Sequence, residues 1–293
     1  MKSGFVTIVG RPNAGKSTLM NHIVGHKVAI VSEKPQTTRN RIQGIYTTEQ
    51  GQIVFVDTPG IHKPKHLLGE YMVQVSTRSL HEVDVIYYMT DVTRPFGSGE
   101  RYIIEYLQGV SAPVFLLINK IDLVGIEQAT HHISDFLGYM NFAETMFLSA
   151  MQGTNIPALL EKTWQYLPEG PLYYPEGDLT DQPVSFQAAE LIREKALWLT
   201  RDEIPHSLAV DVEELRQQNG GKAYLRAVIY IERDSQKGIV IGKNGQMLKQ
   251  IGEQSRQELE DLLDRPVYLD LWVKVKKNWR DSENNLNQLG YSR

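Results

Sequence analysis

Gly10-Arg11-Pro12-Asn13-Ala14-Gly15-Lys16-Ser17 is the stretch whose reading decides the fold. It matches the phosphate-loop pattern Gly-x-x-x-x-Gly-Lys followed by Ser or Thr. The apolar run Phe5-Val6-Thr7-Ile8-Val9 before it predicts a buried strand. Thr18-Leu19-Met20-Asn21-His22-Ile23-Val24 after it has helical spacing. Strand, loop and helix in that order are the context the motif requires. Gly10 and Gly15 let the backbone turn sharply, so successive N–H groups can face phosphate oxygens at a helix N-terminus. Lys16 brings a positive charge between the outer phosphates, and the Ser17 hydroxyl is placed to ligate Mg²⁺.

The totals bound the rest. At 293 residues the chain has room for two domains, each with its own core. A net charge of −4 carries no global nucleic-acid signature, so any such contact must come from a local patch. The absence of cysteine excludes disulfides and thiolate metal sites and fits a reducing compartment. Only Met1 to Gly4 precede the first strand, so no signal or transit peptide is expected. No apolar run approaches the roughly 18 residues of a spanning helix, and a cytoplasmic protein is expected.

From Met1 to about residue 168, strands are expected at 4–9, 41–47, 52–57, 84–90, 113–118 and 145–149. Helices are expected at 16–24, 67–80, 98–108, 127–140 and 156–167. The alternation predicts an α/β doubly wound sheet with ligands at the carboxyl ends of its strands. Three further signals fall there. Ile53-Val54-Phe55-Val56 runs into Asp57-Thr58-Pro59-Gly60, where Asp57 can hold a Mg²⁺-bound water and the Gly60 N–H can face a terminal phosphate. Val114 to Ile118 runs into Asn119-Lys120-Ile121-Asp122. The Asp122 carboxylate can accept two hydrogen bonds from guanine N1 and its exocyclic amine, which adenine cannot offer. Phe147-Leu148 leads into Ser149-Ala150, where the Ala150 N–H can read guanine O6. Each is an ordinary turn when taken alone. Four in this order, each after an apolar strand, predict a guanine-nucleotide site built from Gly10 to Thr18, Asp57 to Ile61, Asn119, Lys120, Asp122, Ser149 and Ala150.

With these motifs the chain resembles the translation-factor-related small GTPases, and more closely the Era family. Gln36-Thr37-Thr38-Arg39 matches that family's effector segment, and the resemblance implies that Thr38 closes over Mg²⁺ in the GTP state and serves catalysis with Lys16 and Gly60. In Ras-like enzymes the residue after this Gly is a water-orienting glutamine; here it is Ile61, which cannot do that. Asn13 matches the asparagine that binds K⁺ in relatives of this kind, where the ion takes the place of an arginine finger.

Leu167 to Gly177 is rich in Pro and Gly, and with Asp178 to Pro183 it reads as a linker over 169–183. The second domain, 184–293, is expected to open with an amphipathic helix from Phe186 to about Thr200. Strands near 206–214 and 223–232 follow, joined at Asn219-Gly220-Gly221. Gly238 to Gly245 is expected to open a helix through Leu248 and Ile251, with a second to Leu263 and a last strand from Val267 to Val275. This α-β-β-α-α-β order, with Gly242-Lys243-Asn244-Gly245 between helices, resembles a type II KH domain. Bare glycines let the backbone clamp about four nucleotides of a single strand. Acids and bases balance across this domain, yet two windows hold cations and no acid: Lys237, Lys243 and Lys249, then Lys274, Lys276, Lys277 and Arg280. Lys243-Asn244 departs from the small residue common between such glycines.

A GTPase domain followed directly by a type II KH domain is the Era arrangement. The resemblance implies binding to the 3′ end of small-subunit ribosomal RNA, a role in 30S maturation and peripheral membrane contact; a monomer is expected. Two alternatives stay open: a membrane signalling GTPase whose KH fold contacts protein, and an RNA-binding protein for which GTP is only a structural ligand.

Overall fold

The computed structural model describes residues 1–217 and 221–291. They divide into two compact units, Met1–Lys65 with Gly69–Asp181, and His66–Leu68 with Gln182–Arg293. In the first unit the order is β1 (Lys2–Gly10), α1 (Lys16–Val24), β2 (Ile42–Thr48), β3 (Gly51–Asp57), α2 (Leu67–Ser79) and β4 (Val85–Asp91). Then come α3 (Ser98–Leu107), β5 (Val114–Asn119), α4 (Ile126–Leu137), β6 (Glu144–Phe147) and α5 (Ile156–Tyr166). The sheet order is β2-β3-β1-β4-β5-β6. All neighbours pair in parallel except β2, which pairs antiparallel with β3.

The continuous apolar runs are explained by burial on both faces: every residue of β3, β4 and β5 is buried. The carboxyl ends of β1, β3, β4 and β5 therefore lie side by side, Gly10 beside Met89, Ile8 beside Asp57 and Asp91 beside Asn119. That edge is where the loops bearing the motifs emerge.

The stretch 169–181, read from composition as linker, is strapped along this unit. Gln52 Oε1 accepts the backbone N–H groups of Tyr173 and Tyr174, each at 2.9 Å, and the Tyr173 ring lies 4.6 Å from that of Phe5. The Ile45 N–H donates to Leu179 O. Its prolines and glycines serve an extended strap.

The second unit holds α6 (Val184–Leu199), α7 (Ile204–Ser207), β7 (Ala209–Gln217), β8 (Ala223–Ile231), α8 (Asp234–Ile241), α9 (Gln246–Leu263), β9 (Val267–Val275) and α10 (Glu283–Gln288). β8 pairs antiparallel with β7 and parallel with β9. Two expectations are corrected. The strand expected from 206 starts at Ala209, because Ile204–Ser207 turns as a short helix with Pro205 in its first turn. The break at Gly242–Gly245 falls between helices as expected, α8 ending at Ile241, but the two helices expected from there to Leu263 are one, α9, running unbroken from Gln246 to Leu263. The break is backbone chemistry: Gly242, Asn244 and Gly245 all have positive φ, 74°, 53° and 77°. Of the expected hairpin turn, Asn219 and Gly220 lie outside the described residues.

Candidate nucleotide site and KH loop

The phosphate loop leaves β1 at Gly10, whose φ is 157°, and enters α1 at Gly15, whose φ is 105°. A Cβ on Gly10 would stand 2.2 Å from Met89 O, and one on Gly15 2.2 Å from Asn119 Nδ2. Both glycines are demanded by close approach. Asn13 holds a left-handed backbone, φ 66°, and its side-chain amide donates to Glu33 O at 2.6 Å. Lys16 Nζ lies 3.2 Å from Arg11 O and 3.5 Å from Gly10 O.

Lys16 and Asp57 are both buried. Burial pushes the Lys16 ammonium below its usual range, against the pull of the Asp57 charge. Burial likewise pushes the Asp57 carboxyl up, opposed by Lys16 and by hydrogen bonds from Ser17, Thr38 and the Thr58 N–H. Ser17 Oγ donates to Asp57 Oδ2 at 2.5 Å, Thr38 Oγ1 lies 3.2 Å from the same oxygen, and the two hydroxyls are 3.0 Å apart. Asp57 Oδ1 is buried and has no hydrogen-bond partner. Two hydroxyls and a carboxylate with a spare buried oxygen form a hard-oxygen donor set that fits Mg²⁺.

Beyond Asp57, Thr58 Oγ1 donates to Ile8 O and Pro59 O accepts from Ser76. Gly60 packs so tightly that a Cβ would lie 2.5 Å from Pro12 N. Ile61 is buried in the core cluster with Val9 and Tyr88, and its N–H donates to Gly10 O.

The base-reading end is tied by Asn119. Its Nδ2 donates to Ala14 O at 2.7 Å, and its Oδ1 accepts the Ala150 N–H at 2.9 Å. The Ala150 N–H, expected to face guanine O6, is thus engaged by Asn119 in this structure. Ser149 Oγ accepts the Gln152 N–H. Asp122 is exposed on a short helical turn over Ile121–Leu123. Lys120 takes a left-handed φ of 66° and its Nζ bonds Asp91 Oδ2 at 2.6 Å. Burial would raise the Asp91 carboxyl, yet hydrogen bonds from Lys120 and Thr93 outweigh it and hold it below the usual range. Asp91 is a site residue the motif reading missed. It ends an apolar strand as Asp57 does, and that position was the available signal.

In the second unit Gly242 and Gly245 flank an exposed Lys243-Asn244. A Cβ on Gly242 would lie 2.7 Å from Met247 Cβ. Lys237 and Lys249 are also exposed; Lys249 has a loose ion pair with Glu253 at 3.7 Å. The second cationic window is less free than its sequence suggests. Lys274 Nζ is 2.7 Å from Glu213, Lys276 Nζ bonds Gln288, and Arg280 pairs with Glu232 at 2.6 Å. Lys277 is exposed. The acids come from β7 and from the end of β8, so a window along one strand could not show them.

Residues 5–120 match the sequence model of the 50S ribosome-binding GTPase family, and residues 203–280 that of the KH domain. GTPase Era of Staphylococcus haemolyticus (strain JCSC1435) is 51% identical over 290 residues, covering 99% of this chain and 97% of that protein. Era solved in complex with MgGDPNP and nucleotides 1506–1542 of 16S ribosomal RNA superposes with a TM-score of 0.97, at 41% identity over the whole of both chains. A variant of Aquifex aeolicus Era bound to GDP and aluminium fluoride gives 0.96 at 41% identity, also over the whole of both chains. The chain belongs to the Era family of GTPases, a GTPase domain followed by a KH domain.

Proposed function

We propose that this GTPase binds and hydrolyses GTP to govern a KH domain that holds the 3′ end of small-subunit ribosomal RNA during 30S assembly. The observation that carries the nucleotide half is the meeting of Lys16, Ser17, Thr38 and Asp57 at one strand edge, with Asn119 joining the phosphate loop to the base loop. The RNA half is supported by the exposed Lys243-Asn244 between two glycines of positive φ, and by the relative solved with 16S ribosomal RNA. The chain is proposed to act as a cytoplasmic monomer with peripheral membrane contact; among the described residues no helix is long and apolar enough to cross a membrane.

In the reaction, backbone N–H groups from Asn13 to Thr18 cradle the phosphates and Lys16 leaves its loop carbonyls for the outer phosphate oxygens. Ser17, Thr38 and Asp57 would hold Mg²⁺, which would supply positive charge against the phosphates. Gly60 offers its N–H to the terminal phosphate. Asp122 pairs guanine while Lys120, pinned by Asp91, and Asn119 shape the pocket around the base. Because Ile61 is locked in the core, the residue after Gly60 orients no water. Asn13, with the Glu33 carbonyl at its amide, is proposed to hold K⁺, which would offset developing charge in place of an arginine finger; with neither a glutamine after Gly60 nor an arginine finger, the reaction is expected to be slow.

Three outcomes follow from these assignments. Asp122→Asn is expected to weaken GTP by roughly 2–5 kcal/mol and to favour xanthosine nucleotides, because the new amide matches a carbonyl at purine C2; unchanged GTP affinity by calorimetry contradicts the assignment. Lys243→Asp with Asn244→Asp is expected to abolish binding to a single-stranded 16S 3′-end oligonucleotide and leave RNA-free GTP turnover intact. A folded double variant that keeps RNA binding moves the RNA site off the glycine loop. Hydrolysis at saturating GTP is expected to be faster in potassium than in sodium at equal ionic strength, with most of the difference lost in Asn13→Ala. Equal rates in the two salts remove the ion from the mechanism.

A further inference from the structure

His62, half-buried just beyond Ile61, makes two contacts that the nucleotide-site reading leaves unused. Its Nδ1 is 2.8 Å from Gly60 O, and its Nε2 is 3.1 Å from Gln36 Nε2. A carbonyl oxygen only accepts, so Nδ1 carries the proton and donates. In the neutral ring Nε2 is then an acceptor, and the Gln36 amide N–H supplies it. One imidazole satisfies both nitrogens across two loops 26 residues apart.

Both anchors are themselves constrained. Gln36 holds a left-handed backbone, φ 62°, which is unfavourable for a side chain with Cβ unless contacts hold it there. Two residues on, Thr38 bonds Ser17 and Asp57. At the other end, the Gly60–Ile61 peptide is fixed from two sides, its N–H by Gly10 O and its carbonyl by His62. His62 therefore links the loop bearing Thr38 to the turn bearing Gly60.

We propose that His62 is a positioning residue for hydrolysis, fastening the Gly60–Ile61 peptide to the Gln36–Thr38 segment so that both loops close on the terminal phosphate together. The inference rests on the GTP-hydrolysis reading above. His62 touches neither nucleotide nor water in this scheme. With Ile61 unable to orient water, catalysis depends on where the Gly60 N–H and Thr38 are held, and errors of an ångström there are costly. Because the link acts on geometry at the reacting end, its loss lowers kcat while leaving ground-state binding in place.

The test is steady-state GTP hydrolysis by the full chain as wild type, His62→Ala, Gln36→Ala and the double variant, with GDP affinity and melting temperature measured for each. Each single variant is expected to lose about 10- to 100-fold in kcat, with GDP affinity and KM changed by less than about twofold. The double variant is expected to lose about as much as the more impaired single and no more, since the two residues act as one link. Three results overturn the inference alone: unchanged kcat in His62→Ala, losses that multiply in the double variant, or a fall in GDP affinity that matches the fall in kcat. Should His62→Ala fail to fold, Gln36→Ala still decides, an unchanged kcat there overturning the link. No GTP turnover by the wild-type chain would overturn the parent reading and this inference with it.

Discussion

The side chain of Asn119 is the contact on which the site depends. Its amide donates to Ala14 O in the phosphate loop and accepts from the Ala150 N–H, joining loops whose residues lie 105 and 31 positions away. Both partners are buried backbone groups, so losing the amide would leave a donor and an acceptor unpaired out of water. Gly15 has to be bare because this amide occupies the space its Cβ would need. The spelling of the phosphate loop and of the Asn-Lys-x-Asp segment are therefore one constraint seen from two sides. Lys120, next in sequence, repeats the pattern by reaching Asp91 at the end of the neighbouring strand.

The second constraint is electrostatic. Lys16 and Asp57 stand buried at the same edge, each shifted by desolvation toward its neutral form and drawn back by the other. The hydroxyls of Ser17 and Thr38 serve one carboxylate oxygen while the other is left unpaired. A buried acceptor without a partner is costly unless a ligand fills it. An oxygen donor set with a spare buried acceptor fits a divalent cation better than any partner internal to the chain. Packing carries the rest: Ile61 in the core and Gly60 against Pro12 give the turn a fixed course with no functional side chain of its own.

Most of the first unit was legible because its signals are local. Strands β3, β4 and β5 are buried on both faces, so each announces itself as an apolar run, and each motif begins where such a run stops. What a linear reading misses comes from elsewhere in space. The acids facing Lys274 and Arg280 sit on β7 and at the end of β8. The break between α8 and α9 sits at the Gly242–Gly245 loop, where Gly242, Asn244 and Gly245 take positive φ, but the unbroken course of α9 to Leu263 is not registered by a count of apolar spacings. The short turn at Ile204–Ser207 replaces what apolar content alone reads as strand. The strap over 169–181 has the composition of a linker, and only its bonds to Gln52 and Ile45 reveal what it covers. Asp91 and His62 carry no motif of their own, since each matters through the residue it holds.

The central claim is that the hydroxyls of Ser17 and Thr38 with Asp57 form a cation-bridged phosphate site, and calorimetric titration of the full chain with a non-hydrolysable GTP analogue tests it most directly. Run with Mg²⁺ and then with a chelator, the account predicts one-to-one binding that weakens by at least about tenfold without the metal, a difference of about 1.4 kcal/mol or more. Equal affinity in the two conditions would contradict it.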